Sequence, residues 1–130
     1  MITLATLPQA TAQQVFDQVA THLLTQKKKS RIIHESNEDS CVYRTPEGLK
    51  CAAGCLMSDE EFLTLVGGTR NSIPWRSLIA RGVAPEEHSE LIVSLQRCHD
   101  HNTPEYWDIY LFEIANAYDL SPAVLEQFKS

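Results

Sequence analysis

The sequence predicts a mainly helical α+β domain, with five or six helices and one small β-hairpin near residues 41–51. Three observations lead there. Apolar residues recur three and four apart through several separate stretches. Ser, Thr or Pro stands where those stretches open, and Gly closes two of them. One turn sequence, Thr45-Pro-Glu-Gly48, is flanked by short runs that suit strands. At 130 residues, 43% of them hydrophobic and 22% charged, the chain has the size of a single domain that can bury a core without a disulfide.

The first helix is expected over residues 11–28, where Ala12, Val15, Phe16, Val19, Ala20, Leu23 and Leu24 share one face. Thr11 can cap its start, and Lys27 to Lys29 complement the dipole at its end. Residues 35–40 are polar and read as a loop. The Pro46 turn then joins a strand at 41–44 to one at 49–51. Ser58-Asp-Glu-Glu61 is a capping-box sequence, with Met57 and Phe62 placed for a hydrophobic staple, so a short helix should run over 59–66 and stop at Gly67-Gly68. Another short helix begins near Pro74, carries Trp75, Leu78 and Ile79, and ends at Gly82.

A longer helix is expected over 85–101, with Glu86 and Glu87 in its first turn and a stripe of His88, Leu91, Ile92, Leu95, Cys98 and His99. Asn102 can close it, and Thr103-Pro104 opens the next. That helix, running through Tyr106, Trp107, Ile109, Tyr110, Leu111, Phe112, Ile114, Ala115 and Tyr118, is apolar almost all round. It is therefore either the central helix of the domain or one whose second face meets another chain. Ser121-Pro122 opens a last short helix with Val124, Leu125 and Phe128.

The net charge of -6 is uneven: residues 84–130 hold nine acids against Arg97 and Lys129. A nucleic-acid-binding surface requires the opposite sign, so nucleic acid is a disfavoured partner. The start lacks the basic and apolar pattern of a secretion signal, and no stretch approaches the ~20 apolar residues of a membrane span. A cytoplasmic address is the expectation, where Cys41, Cys51, Cys55 and Cys98 would be thiols or metal ligands rather than disulfides.

Three of those cysteines fall between residues 41 and 55, and three readings compete. A zinc site would draw on Cys41, Cys51, Cys55, Cys98 and His101, but the doubled pair of close cysteines typical of such sites is missing. A cysteine-dependent enzyme would pair Cys51 or Cys55 with His34, His99 or His101 as base and Asp100 as orienting carboxylate. The simplest reading is packing. Cys51-Ala-Ala-Gly-Cys55 is a run of small side chains that lets another backbone, or a large aromatic such as Trp75 or Trp107, come close. His99 and His101, two apart on a helix, point to nearly opposite sides and would not share an ion while the helix continues.

His22-Leu-Leu-Thr-Gln26, Cys41-Val-Tyr-Arg44, Gly48-Leu-Lys-Cys-Ala-Ala-Gly-Cys-Leu56 and Asp59-Glu-Glu-Phe62, taken in order, resemble a family of small uncharacterised proteins of bacteriophages and bacterial genomes. The resemblance covers about half the chain and does not extend to residues 67–81. It implies a setting, the cytoplasm of a bacterial host, and no catalytic residue.

The expected function is that of a non-enzymatic accessory protein acting through protein contacts, with itself or with a host or phage partner, and without a cofactor. Tyr106, Trp107, Tyr110 and Phe112 are the candidate contact residues, since aromatics supply much of the energy of interfaces. The structural zinc domain and the Cys/His enzyme are the alternatives. A further one, an acidic mimic of nucleic acid, rests on the charge asymmetry alone.

Overall fold

A computed structural model describes residues 1–33, 39–67 and 73–129. It is mainly helical. Helix α1, Ala12–Gln26, buries Val15, Phe16, Val19, Ala20, Leu23 and Leu24. Its start is held by a reciprocal cap in which Thr11 Oγ1 accepts from the Gln14 amide and Gln14 Oε1 accepts from the Thr11 amide. That closes two backbone donors that the helix itself leaves unpaired. Lys27 ends the helix in the left-handed region, φ 54°, and its amide donates to Leu23 O.

Two three-residue strands follow, β1 (Arg31–Ile33) and β2 (Asp39–Cys41), paired antiparallel with Ile32 opposite Ser40. The hairpin expected near 41–51 does not form as a pair of strands. Its turn does close: Gly48 N donates to Thr45 O and Thr45 N to Leu49 O, with Gly48 at φ 96°. Beyond the turn only the single bridge between Arg44 and Lys50 and the bond from Cys51 N to Tyr43 O are made. The chain then winds into a 3-10 turn at Ala53–Leu56. Pro46 has no amide to give, and the small residues after Cys51 favour close packing over a pleated ladder. The polar loop read over 35–40 overlaps β2 at residues 39 and 40, and the rest of it lies outside the described residues.

The second cap forms as its sequence requires: Ser58 Oγ accepts from Glu61 N, and Glu61 Oε1 accepts from Ser58 N. Helix α2 (Asp59–Glu61) continues as a wider π turn over Phe62–Val66 and stops at Gly67, φ 105°, whose amide donates to Phe62 O. Met57 and Phe62, on either side of the cap, are both buried. Helix α3 (Trp75–Ala80) follows Pro74, and Gly82 turns the chain at φ 77°.

Helix α4 runs over Ser89–His101, one turn shorter than expected. His88 stands before it in the left-handed region, φ 64°, with its ring Nε2 hydrogen-bonded to Ala10 O. A right-handed helix does not propagate back through such a residue, so Glu86 and Glu87 precede it and Glu90 is the acid in its first turn. A 3-10 turn at Pro104–Tyr106 leads into α5, Trp107–Ala117, and a second at Ala123–Phe128 closes the described chain.

Most of the buried apolar side chains among the described residues form one cluster, in which Phe16, Leu23, Leu56, Ile92, Leu95, Trp107 and Leu111 are fully enclosed. Helix α1 is at its middle, in contact with α4, α5 and the 3-10 turns at Ala53–Leu56 and Ala123–Phe128. Helix α5, not the central element, inserts Trp107, Leu111 and Ala115 into the cluster and leaves its other face outward.

Candidate functional site

Two regions carry chemistry beyond core packing, and the first lies on α5. A helix sends only about one residue in two or three inward when it packs on one side, so an apolar sequence all round must expose apolar groups. Tyr106 is 51% exposed, Ile109 53%, Tyr110 39% and Phe112 49%. Trp107, grouped with them on sequence grounds, is fully buried instead; its indole N–H donates to Asn102 O and its ring stacks on His99, 5.4 Å between centroids. Three of the four expected contact aromatics thus face outward, joined by Ile109.

On one side of this face runs a groove of about 480 Å³. Ile109, Phe112 and Asn116 of α5 form one wall, Leu24 and Lys27 at the end of α1 and the turn at Leu125–Lys129 the rest. Asp108 and Glu113 stand on the α5 side, and Glu126 on the other is paired with Lys129 at 3.0 Å. No Lys or Arg occurs from residue 98 to residue 128. The α5 wall consequently sets the acids Asp108 and Glu113 beside apolar Ile109 and Phe112.

The second region lies between β2 and the end of α4. Cys41, His99 and Asp100 bring a sulfur, a ring nitrogen and a carboxylate oxygen within 4.8 Å of one another, and this is the one such trio among the described residues. Its wiring follows from a backbone donor. The Ser30 amide, which has only a proton to offer, donates to His99 Nε2 at 2.9 Å, so that nitrogen holds its lone pair and the ring proton sits on Nδ1. Nδ1 donates to Asp100 Oδ1 at 2.7 Å, and Gln96 Nε2 donates to the same oxygen at 2.7 Å. Burial by itself would raise the Asp100 carboxyl, but hydrogen bonds from His99, Gln96 and Cys41 and the nearby imidazole outweigh it and hold it below the ordinary value. The nitrogen that faces the carboxylate, Nδ1, carries the ring proton in this arrangement. The trio is therefore connected as a hydrogen-bond network that ties the β-ribbon to α4, not laid out as a ligand set.

The remaining cysteines are deep in the protein. Cys51 is fully enclosed, Cys55 is 8% exposed and Cys98 3%. None of the four is in a disulfide. Burial pushes the Cys55 and Cys98 thiols up to about 12, and that of Cys51 higher still. Such thiols are not the thiolates that a nucleophile needs. Cys51, Cys55, Cys98 and His101 do not join Cys41; His101 is exposed while His99 is enclosed, as two residues two apart on α4 must be.

Next to the network is a cavity of about 70 Å³, walled in part by Cys41, Cys51, Trp75, Gln96 and Asp100. That is well below the few hundred Å³ in which an organic substrate is usually held.

The cysteine-rich segment itself is organised by Arg44, which sequence reading passed over. Buried to 7% exposure, its guanidinium donates to Gly54 O, Met57 O and Asp59 Oδ1 and lies 5.3 Å from the centre of the Phe62 ring. Gly54 is pressed against the Tyr43 backbone so closely that a Cβ there would stand 2.0 Å from Tyr43 O.

No family model, curated protein or solved structure matches the chain. Among the described residues no helix is long and apolar enough to cross a membrane.

Proposed function

We propose that the chain is a non-enzymatic accessory protein that acts by protein contact through the outward face of α5. The observation that carries this reading is the exposure of Tyr106, Ile109, Tyr110 and Phe112 together beside a groove of about 480 Å³. Single exposed apolar residues are ordinary on a protein surface, whereas four along α5 and the turn before it, two of them lining a concavity, are the composition of a contact core. Against catalysis stand the buried thiols, whose pKa values are raised, and the small size of the cavity beside the Cys41–Asp100 network.

The resemblance of the segment through Gly48-Leu-Lys-Cys-Ala-Ala-Gly-Cys-Leu56 to small phage and bacterial proteins adds a setting to this proposal, a bacterial cytoplasm with a host or phage protein as partner. The test compares the wild-type chain with Tyr110→Glu/Phe112→Glu as bait in bacterial lysate, alongside sedimentation velocity of each. Specific capture or self-association that the double variant loses, at unchanged thermal stability, supports the reading. A monomeric wild type whose captured proteins are the same as those of the variant sinks it.

A further inference from the structure

We infer that the groove beside α5 receives an amphipathic helix whose apolar stripe is bordered by lysines or arginines. This partner chemistry rests on the contact reading above and extends it from a surface to an occupant. The α5 residues that line the groove, 108–116, span about 12 Å at the rise of an α-helix, the length of about two turns of a partner helix laid alongside. Ile109 and Phe112 rise from the α5 wall at half exposure, while Leu24 and Leu125 are buried at the base. That is the arrangement by which grooves take apolar residues spaced at i, i+3, i+4 and i+7. The exposed apolar surface also continues past the groove to Tyr106 and Tyr110, which gives it the extent of a peptide site.

Charge decides between occupants. Glu105, Asp108 and Glu113 are all exposed along α5 and its approach, and no Lys or Arg lies between residues 98 and 128 to neutralise them. A second copy laying its own α5 on this one would set acid against acid, which disfavours that pairing. A basic-bordered helix meets the same carboxylates with opposite charge. On the far wall Lys129 is engaged by Glu126, and Lys27 is the cation that a partner's single acid would meet.

Three designed helical peptides of equal length test this by fluorescence anisotropy at low and high salt: a leucine stripe bordered by lysine, the same stripe bordered by glutamate, and the lysine peptide with its stripe scrambled. They are measured against the wild-type chain, Phe112→Asp, Ile109→Asn and Asp108→Asn/Glu113→Gln, with folding of each checked by its circular-dichroism melt. The lysine-bordered stripe is expected to bind the wild type, to lose about tenfold or more on Phe112→Asp although that variant is more acidic, to weaken on Ile109→Asn, and to lose a few-fold on the double neutralisation. Equal binding of the scrambled peptide would mean simple attraction of opposite charges and overturns the inference. Equal binding of the glutamate peptide overturns the partner's charge but leaves the contact function standing. So does a wild-type dimer that Phe112→Asp dissociates, since the occupant is then a second copy. If no peptide binds and the wild type is a monomer with no groove-dependent partner in lysate, the contact reading itself fails.

Discussion

His99 donates from Nδ1 to Asp100, its neighbour in sequence, across 2.7 Å, while its other nitrogen receives the Ser30 amide at 2.9 Å. One enclosed ring thus satisfies a strand-side donor and a helix-side acceptor at once. Replacement by phenylalanine keeps the ring and its stack on Trp107 but leaves the buried Ser30 amide unpaired and takes one donor from Asp100, which retains Gln96; a buried group left without a bond costs about 1–3 kcal/mol. His99→Phe is therefore expected to lose about 1–3 kcal/mol in urea denaturation, and His99→Gln somewhat less.

The same network sets an acid dependence. The folded Asp100 carboxyl lies below its ordinary value because, despite burial, its hydrogen bonds stabilise the charged form. A depressed folded pKa contributes stability that is present above the unfolded value, about 3.9, and disappears as pH falls through the folded one. Asp100→Asn should lower stability at neutral pH and flatten its decline below about pH 4, so the wild-type and variant curves converge on acidification. Parallel curves from pH 7 to pH 2 would disprove the assignment.

Thiol reactivity should sort by burial. Cys41 is part exposed, whereas Cys51, Cys55 and Cys98 are enclosed and their thiolates disfavoured at neutral pH. Alkylation followed by mass spectrometry at pH 7.5 should modify Cys41 first and the other three only at the rate at which the protein opens. A fast second site among Cys51, Cys55 and Cys98 would return the cysteine enzyme to consideration.

Gly54 and Gly48 offer a contrast in what glycine is for. At Gly54 an added methyl meets the fixed carbonyl of Tyr43 at 2.0 Å, and the backbone has to move; Gly54→Ala should cost about 3 kcal/mol or more. At Gly48 the surroundings are open and only the positive φ of 96° is at stake, so Gly48→Ala should cost about 1 kcal/mol. Chemical denaturation of the two variants side by side measures the difference.

The two faces of α5 should separate energetically. Trp107→Ala removes a fully buried indole with its bond to Asn102 O and should cost about 3–5 kcal/mol. Tyr110→Ala, two-fifths exposed, should stay within about 0.5 kcal/mol. A large loss at Tyr110 would mean that the ring is core, not contact surface.

What the amino-acid order determined by itself is local. The Thr11 and Ser58 caps, the turn closed at Gly48 and the stops at Gly67 and Gly82 all appear, because each depends on groups within a few residues of one another. Tertiary structure decided the rest. Strand pairing went to Arg31–Ile33 and Asp39–Cys41, since a ladder needs a partner that local preference does not specify. The start of α4 moved to Ser89 because His88 is bonded to Ala10, 78 residues earlier in the chain. Which α5 aromatic became core was likewise invisible, for a helix apolar on every side does not announce the side it buries. Arg44 and the His99–Asp100 network escaped for the same reason: their partners, from Gly54 to Ser30, are neighbours only once the chain has folded.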